Sequence, residues 1–193
     1  MKIYLCKVFL VTAILLFSTV TTSAQPTIYL VRHAEKLENW PGDDDLDAYH
    51  PLSAKGGARA QKLAKKFKPG AIAAVFSSRT TRSLHTALPL AHKLKLSLEV
   101  ADACMDTAAI SAFYKTLAAR FGPDKAVVLV SHSNIIPYLL LKAGLSPACF
   151  KEMGIAASSP DSWLLIEGYG NIWRVEKWRT DAKTCEGFSR MKY

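Results

Sequence analysis

Thr27-Ile28-Tyr29-Leu30-Val31-Arg32-His33-Ala34-Glu35-Lys36 is the stretch on which the fold turns, an apolar run that ends abruptly in an arginine and a histidine. A short apolar run of this kind reads as a buried strand. Open α/β sheets collect their ligands at the carboxyl ends of the strands. An Arg-His pair at such an exit therefore predicts an anion site.

Two later stretches repeat the pattern. Residues 71–76 read as a second strand, running into Ser77-Ser78-Arg79-Thr80-Thr81-Arg82 and then a helix over 83–95. The free N–H groups and dipole of a helix start both favour a phosphate. Residues 126–130 form a near-continuous Val/Leu run, as expected in the middle of a parallel sheet. That run exits into Ser131-His132-Ser133-Asn134 ahead of an apolar helix over 135–142. Three exits thus bring Arg32 with His33, Arg82, and His132 to one sheet edge. Arginine offers a planar, permanently charged fork for phosphate oxygens, and histidine can act as nucleophile, donor or acid-base group. The set reads as a phosphate pocket.

The rest of the chain supports one α/β domain over residues 25–193. Length fits a single core, and 50% hydrophobic with 21% charged residues argues against disorder. The formal net charge is +9, but Lys and Arg are scattered among Asp and Glu with no basic block. Nucleic acid is not expected as a partner; a small anionic substrate is. Pro51-Leu52-Ser53 opens a helix with Ser53 as N-cap, and Ala60, Leu63, Ala64 and Phe67 recur on its inner face. Residues 96–100 read as a short strand and 107–121 as a helix. Residues 162–168 and 171–177 are expected to close the sheet as a hairpin around Tyr169-Gly170, with Trp173 and Trp178 as packing residues and the basic tail 179–193 loosely packed.

Residues 1–24 have the three parts of an export signal: Lys2 and Lys7, an apolar core over 8–17, and a polar stretch ending Thr22-Ser23-Ala24. The apolar core is shorter than the roughly 20 residues needed to span a bilayer, so cleavage after Ala24 with no stable membrane anchor is expected. Export opens Cys104, Cys149 and Cys185 to oxidation. Three allow one bridge at most; Cys149 with Cys185 would tie the C-terminal tail to the body. No metal is expected, because the cysteine spacing fits no zinc pattern and Asp43, Asp44, Asp45 and Asp47 lack the ordered spacing of a calcium loop. His50, His85 and His92 are given no role.

Four segments carry a family resemblance. Val31-Arg32-His33-Ala34-Glu35-Lys36 resembles the Arg-His-Gly signature of the histidine phosphatase superfamily (phosphoglycerate mutase-like), with Ala34 where many members have glycine. Pro51-Leu52-Ser53-Ala54-Lys55-Gly56 is similar to its Leu-Thr-x-x-Gly segment. Ser78-Arg79-Thr80-Thr81-Arg82-Ser83-Leu84-His85-Thr86-Ala87 is similar to its Ser-x-x-x-Arg-Ala-x-x-Thr-Ala block and selects Arg82 over Arg79. Val128-Leu129-Val130-Ser131-His132 resembles the strand leading to the second histidine.

The resemblance implies a three-layer α/β/α fold with a mostly parallel central sheet and a C-terminal β-hairpin, and a phosphatase needing neither metal nor cofactor. It implies that His33 attacks phosphorus to give a phosphohistidine while Arg32, Arg82 and His132 hold the equatorial oxygens. For the proton donor to the leaving oxygen, Asp106, 24 residues beyond Arg82, matches the position of the family glutamate; Asp102 and Glu35 are rivals. The expected activity is hydrolysis of phosphate monoesters outside the cytoplasm. Some exported relatives sharing an Arg-His-Ala-Glu start act on phosphorylated envelope sugars, which makes such a sugar a candidate substrate. The alternatives are a phosphohistidine protein phosphatase and a non-catalytic module that binds a phosphorylated ligand.

Overall fold

A computed structural model describes residues 25–40, 44–157 and 163–193 of the chain. The export signal read over residues 1–24, Asp43 of the acidic cluster and Ser162 of the expected hairpin lie outside the described residues. Six strands form the main sheet: β1 (Thr27–Arg32), β2 (Ala74–Ser77), β3 (Leu98–Val100), β4 (Ala126–Ser131), β7 (Asn171–Val175) and β8 (Phe188–Lys192), in the order β3-β2-β4-β1-β7-β8. β1 through β4 run parallel, while β7 pairs antiparallel with β1 and β8 antiparallel with β7. Two further short strands, β5 (Ile155–Ala157) and β6 (Leu164–Ile166), pair with each other as a separate ribbon.

The continuous apolar run of β4 is explained by its position between β2 and β1, with both faces covered. Val128 and Val130 point into one core layer with Val31 and Val75, under α1 (Ala54–Lys66) and α2 (Thr81–Leu94). Val127 and Leu129 point the other way with Ile28, Leu30 and Phe76, toward α3 (Ile110–Arg120) and α4 (Ile136–Lys142). Alternation by one residue thus builds the three layers. On α1 the buried set is the expected Ala60, Leu63 and Ala64, followed by Phe67 just past the helix.

The C-terminal pairing differs from the expectation in its partners. The antiparallel hairpin is β7 with β8, not 162–168 with 171–177, because β6 leaves to pair with β5. The tail is correspondingly not loose. Phe188 of β8 is buried, Trp173 and Trp178 lie in the core, and Cys149 is bridged to Cys185. The apolar content of 171–178 marked that stretch as strand. The polar residues of 188–192 hid an edge strand, which needs only one apolar face. Among the described residues Cys104 is the remaining free thiol, and it is fully buried.

Candidate active site

The register of β1 against β4 pairs Arg32 with Ser131, so the residues that follow, His33 and His132, leave the sheet side by side. The His33 amide donates to the Ser131 carbonyl at 2.9 Å, and the two imidazole rings sit 5.2 Å apart, edge to face. His33 Nδ1 lies 2.8 Å from the carbonyl oxygen of Ala34. A carbonyl only accepts, so Nδ1 carries the proton and Nε2 carries the lone pair. Arg82 Nε donates to that same Nε2 at 3.3 Å.

Arg82 comes from the first turn of α2. The loop after His33 is fastened to that helix: the Ala34 amide donates to Thr86 Oγ1 at 2.9 Å, and Thr86 Oγ1 donates to the Arg82 carbonyl at 2.7 Å. On the far side, His132 Nε2 and Ser78 Oγ share a hydrogen bond of 2.8 Å, and Ser78 Oγ lies 3.1 Å from Thr80 Oγ1. The exits of β1, β2 and β4 therefore meet in one polar cluster, with His33 6%, His132 8% and Arg82 9% exposed.

Arg32 is held from the C-terminal part of the chain. Its Nη1 donates to the Gly168 carbonyl at 3.1 Å and its Nη2 to the Tyr169 hydroxyl at 3.4 Å, while Cζ stands 4.1 Å from the centre of the Tyr169 ring. The same ring lies 6.2 Å from that of His33. Arg59 of α1 approaches the ring too, at 5.9 Å, and grips Glu35 through two bonds of 2.7 and 2.6 Å. This bidentate pair draws the Glu35 carboxyl below the usual carboxylate range. Glu35 is thus a brace between the His33 loop and α1. Gly56 is required at the same join, since a Cβ there would come within 2.1 Å of the Glu35 carbonyl oxygen.

Burial pushes His33 down to about 3, with the charges of Arg82 and Arg32 acting in the same direction and the Ala34 carbonyl opposing. His132 is pushed down to about 4, again chiefly by burial, with Asp47 opposing. Both imidazoles are therefore neutral at neutral pH. Asp47, one of the acids whose spacing fits no calcium loop, is a pocket residue. Its carboxylate lies 2.9 Å from Arg82 Nη2 and 2.7 Å from Lys36 Nζ, and the Lys36 bond holds it below its ordinary range.

Arg32, His33, Arg82 and His132 are thus brought together, and the acids expected beside them are not bonded to them. Asp106 is exposed and accepts from the Ala108 amide at 2.8 Å, just ahead of α3. Asp102 is exposed and ion-paired with Arg79. Besides Asp47, the residues missed were Ser78, Thr86 and Tyr169. Ser78 and Thr86 sat inside a motif whose arginine drew the attention. Tyr169 was assigned to a hairpin turn, so nothing in its neighbourhood pointed back to β1. Among the described residues no group of three or more His, Cys, Asp or Glu side chains gathers as a metal site, and no helix is long and apolar enough to cross a membrane.

Sheet order, strand exits and pocket together define a class, a phosphoglycerate mutase-like α/β protein with two histidines and two arginines at the sheet edge. Residues 28–110 match the family described as histidine phosphatase superfamily (branch 1). No curated protein matches the sequence. Among solved structures, the protein histidine phosphatase SixA in complex with tungstate superposes with a TM-score of 0.58 at 18% identity, covering 86% of this chain and 96% of that one. A mycobacterial glucosyl-3-phosphoglycerate phosphatase superposes with a TM-score of 0.53 at 17% identity, covering 82% and 98%. At these identities the likeness is one of fold.

Proposed function

We propose that the chain is an exported phosphatase that hydrolyses phosphate monoesters through a phosphohistidine on His33. The observation that carries this reading is the fixed tautomer of His33: Nδ1 is engaged by the Ala34 carbonyl, and the lone pair of Nε2 points toward Arg82, an anion-binding group. A neutral imidazole needs no prior deprotonation to attack, and burial keeps His33 neutral.

A phosphate monoester enters with its oxygens on Arg32, Arg82 and His132, and the Nε2 lone pair forms a bond to phosphorus as the ester P–O bond breaks. The leaving oxygen takes a proton and departs as the alcohol. Water then attacks phosphorus, its proton returning to the carboxylate that protonated the leaving oxygen, the P–N bond breaks, and inorganic phosphate leaves with His33 restored. Positive charge fixed around the equatorial oxygens stabilises both transition states.

Asp106 by its place in the chain and Asp47 by its contacts compete for the role of proton donor. Contact with Arg82 favours Asp47. Asp47 is ionised in the empty pocket, but a phosphate dianion taking its place on Arg82 removes a favourable charge and adds a repelling one, which raises its pKa in the occupied pocket.

Export is supported by the leader-like residues 1–24 and by the Cys149–Cys185 bridge, a bond that persists in oxidising compartments. The test of the reading is rapid-quench labelling of residues 25–193 with a radiolabelled monoester. The expected product is an acid-labile, base-stable label that His33→Ala abolishes together with turnover. Full hydrolysis by His33→Ala with no label in wild type would overturn it.

A further inference from the structure

Beside His132 the molecule has a second surface that phosphoryl transfer does not use. An open groove of about 410 Å³ is lined by Ser133, Asn134, Trp163 and Leu165. Ser133 and Asn134 directly follow His132 in the chain, which sets the groove within a residue or two of that histidine. The opposite wall, β6, is fastened to the same loop, because the Ile166 amide donates to the Ser133 carbonyl at 3.0 Å.

Trp163 is the unusual member. An indole is normally kept for the core or for an interface, yet Trp163 is 66% exposed. It is nevertheless supported. Its ring meets the Tyr138 ring edge to face at 6.4 Å, and the next amide, that of Leu164, reaches the Tyr138 hydroxyl at 3.5 Å. None of the four lining residues is charged. A flat apolar face beside an amide and a hydroxyl suits a neutral ring that is apolar across its C–H face and hydroxylated around its rim.

We propose that this groove is the leaving-group subsite, in which the pyranose ring of a sugar phosphate lies against Trp163 while its hydroxyls bond Asn134 and Ser133. The inference deepens the phosphatase reading above and rests on it for turnover. It rests on the groove alone for binding. A second phosphate on the leaving group is disfavoured, since among the described residues no cation lines the groove. A peptide bearing phosphohistidine would use the charged pocket without needing a neutral polar rim.

Two measurements on residues 25–193 test it. In steady state, kcat/KM for a hexose phosphate is expected to exceed that for glycerol phosphate by roughly tenfold, and Trp163→Ala to lower the ratio of hexose phosphate to acetyl phosphate turnover by ~10-fold, with Trp163→Phe restoring most of it. Equal kcat/KM for the hexose and glycerol esters, or an unchanged ratio in Trp163→Ala, overturns the subsite. So does a ratio that holds for the hexose ester while turnover of a phosphohistidine peptide collapses. Calorimetric binding to the His33→Ala protein separates the two readings. A preference for hexose phosphate over glycerol phosphate that Trp163→Ala removes supports the subsite even if wild type turns over no ester, a result that would overturn only the hydrolase reading. No preference in binding overturns the subsite whatever the turnover.

Discussion

Arg82 is paired with an acid of the protein itself: the Asp47 carboxylate lies 2.9 Å from its Nη2, and the Asp47 carbonyl accepts from its Nη1 at 2.6 Å. A phosphate bound by Arg82 would compete with this carboxylate for the same guanidinium. Asp47→Asn therefore has two expected effects of opposite sense. Inorganic phosphate inhibits at lower concentration, because Arg82 loses its internal competitor. Turnover of alkyl phosphates falls by roughly 100-fold, the usual scale for losing a general acid, while nitrophenyl phosphate, whose leaving group needs little protonation, loses under about tenfold. Equal slowing of both esters would remove Asp47 from the acid role, and the same pair of substrates applied to Asp106→Asn tests the rival carboxylate.

Stability should depend on acid through the two pocket histidines. An unfolded histidine titrates near 6.5, whereas His33 and His132 are pushed down to about 3 and about 4 in the fold. Between pH 6.5 and about 4 the unfolded chain therefore binds protons that the folded chain refuses, so stability falls as pH falls through that window. Thermal melts from pH 8 to 4.5 should show the decline, and His33→Gln should make it shallower. A dianion in the pocket favours the protonated imidazoles, so sulfate should raise Tm more at pH 5 than at pH 8. A sulfate effect that grows with pH would contradict neutral histidines in the empty site.

Tyr169 positions Arg32 from a part of the chain 137 residues away. Stacking of a guanidinium on a phenol ring is worth about 0.5–2 kcal/mol, and the hydroxyl bond at 3.4 Å adds little. Tyr169→Ala should raise KM for a monoester by roughly 2- to 30-fold, the conversion of that energy, with a smaller change in kcat. Tyr169→Phe keeps the ring and should stay within about twofold of wild type. A phenylalanine variant as weak as the alanine variant would assign the effect to the hydroxyl instead.

The parallel half of the molecule was legible in the sequence because it is built from local signals. Val/Leu runs mark buried strands; Arg32 ends β1, His33 and His132 directly follow β1 and β4, and Arg82 opens the helix after β2, so predicting the strands and that helix predicted the gathering of the four. The remainder depended on pairings that local signals do not encode. Asp47 reads as one of several loop acids until the Asp44–Tyr49 turn brings it against Arg82. Glu35 reads as a rival acid until Arg59 of α1 turns out to be its partner. Tyr169 belongs to the pocket only because β7 lies against β1, which returns the preceding turn to Arg32. Each case requires a long-range contact, and each involves a polar residue whose solvated and buried states look alike in sequence.

The Cys149–Cys185 bridge closes a loop of 36 residues between the end of the helical layer and the segment joining β7 to β8. Loop-closure entropy puts its contribution at about 4 kcal/mol, which for a chain of this size is roughly 8–16 °C in Tm. Cys149→Ser with Cys185→Ser should lose that amount and still fold, because backbone bonds hold the same region independently. Ser146 N donates to the Thr184 carbonyl at 2.9 Å, Thr184 N to Gly144 at 2.9 Å, and Arg179 N to Ala143 at 2.8 Å. The bridge lies outside the hydrogen-bonded cluster of Arg32, His33, Arg82 and His132, so monoester turnover at 25 °C should survive its loss. Thiol titration checks the pairing directly: native residues 25–193 should show no reactive thiol, because Cys104 is buried and its thiol is pushed up by that burial. The same protein unfolded without reductant should show one. Three thiols on unfolding would mean that the bridge does not form and would remove the support it gives to an exported protein.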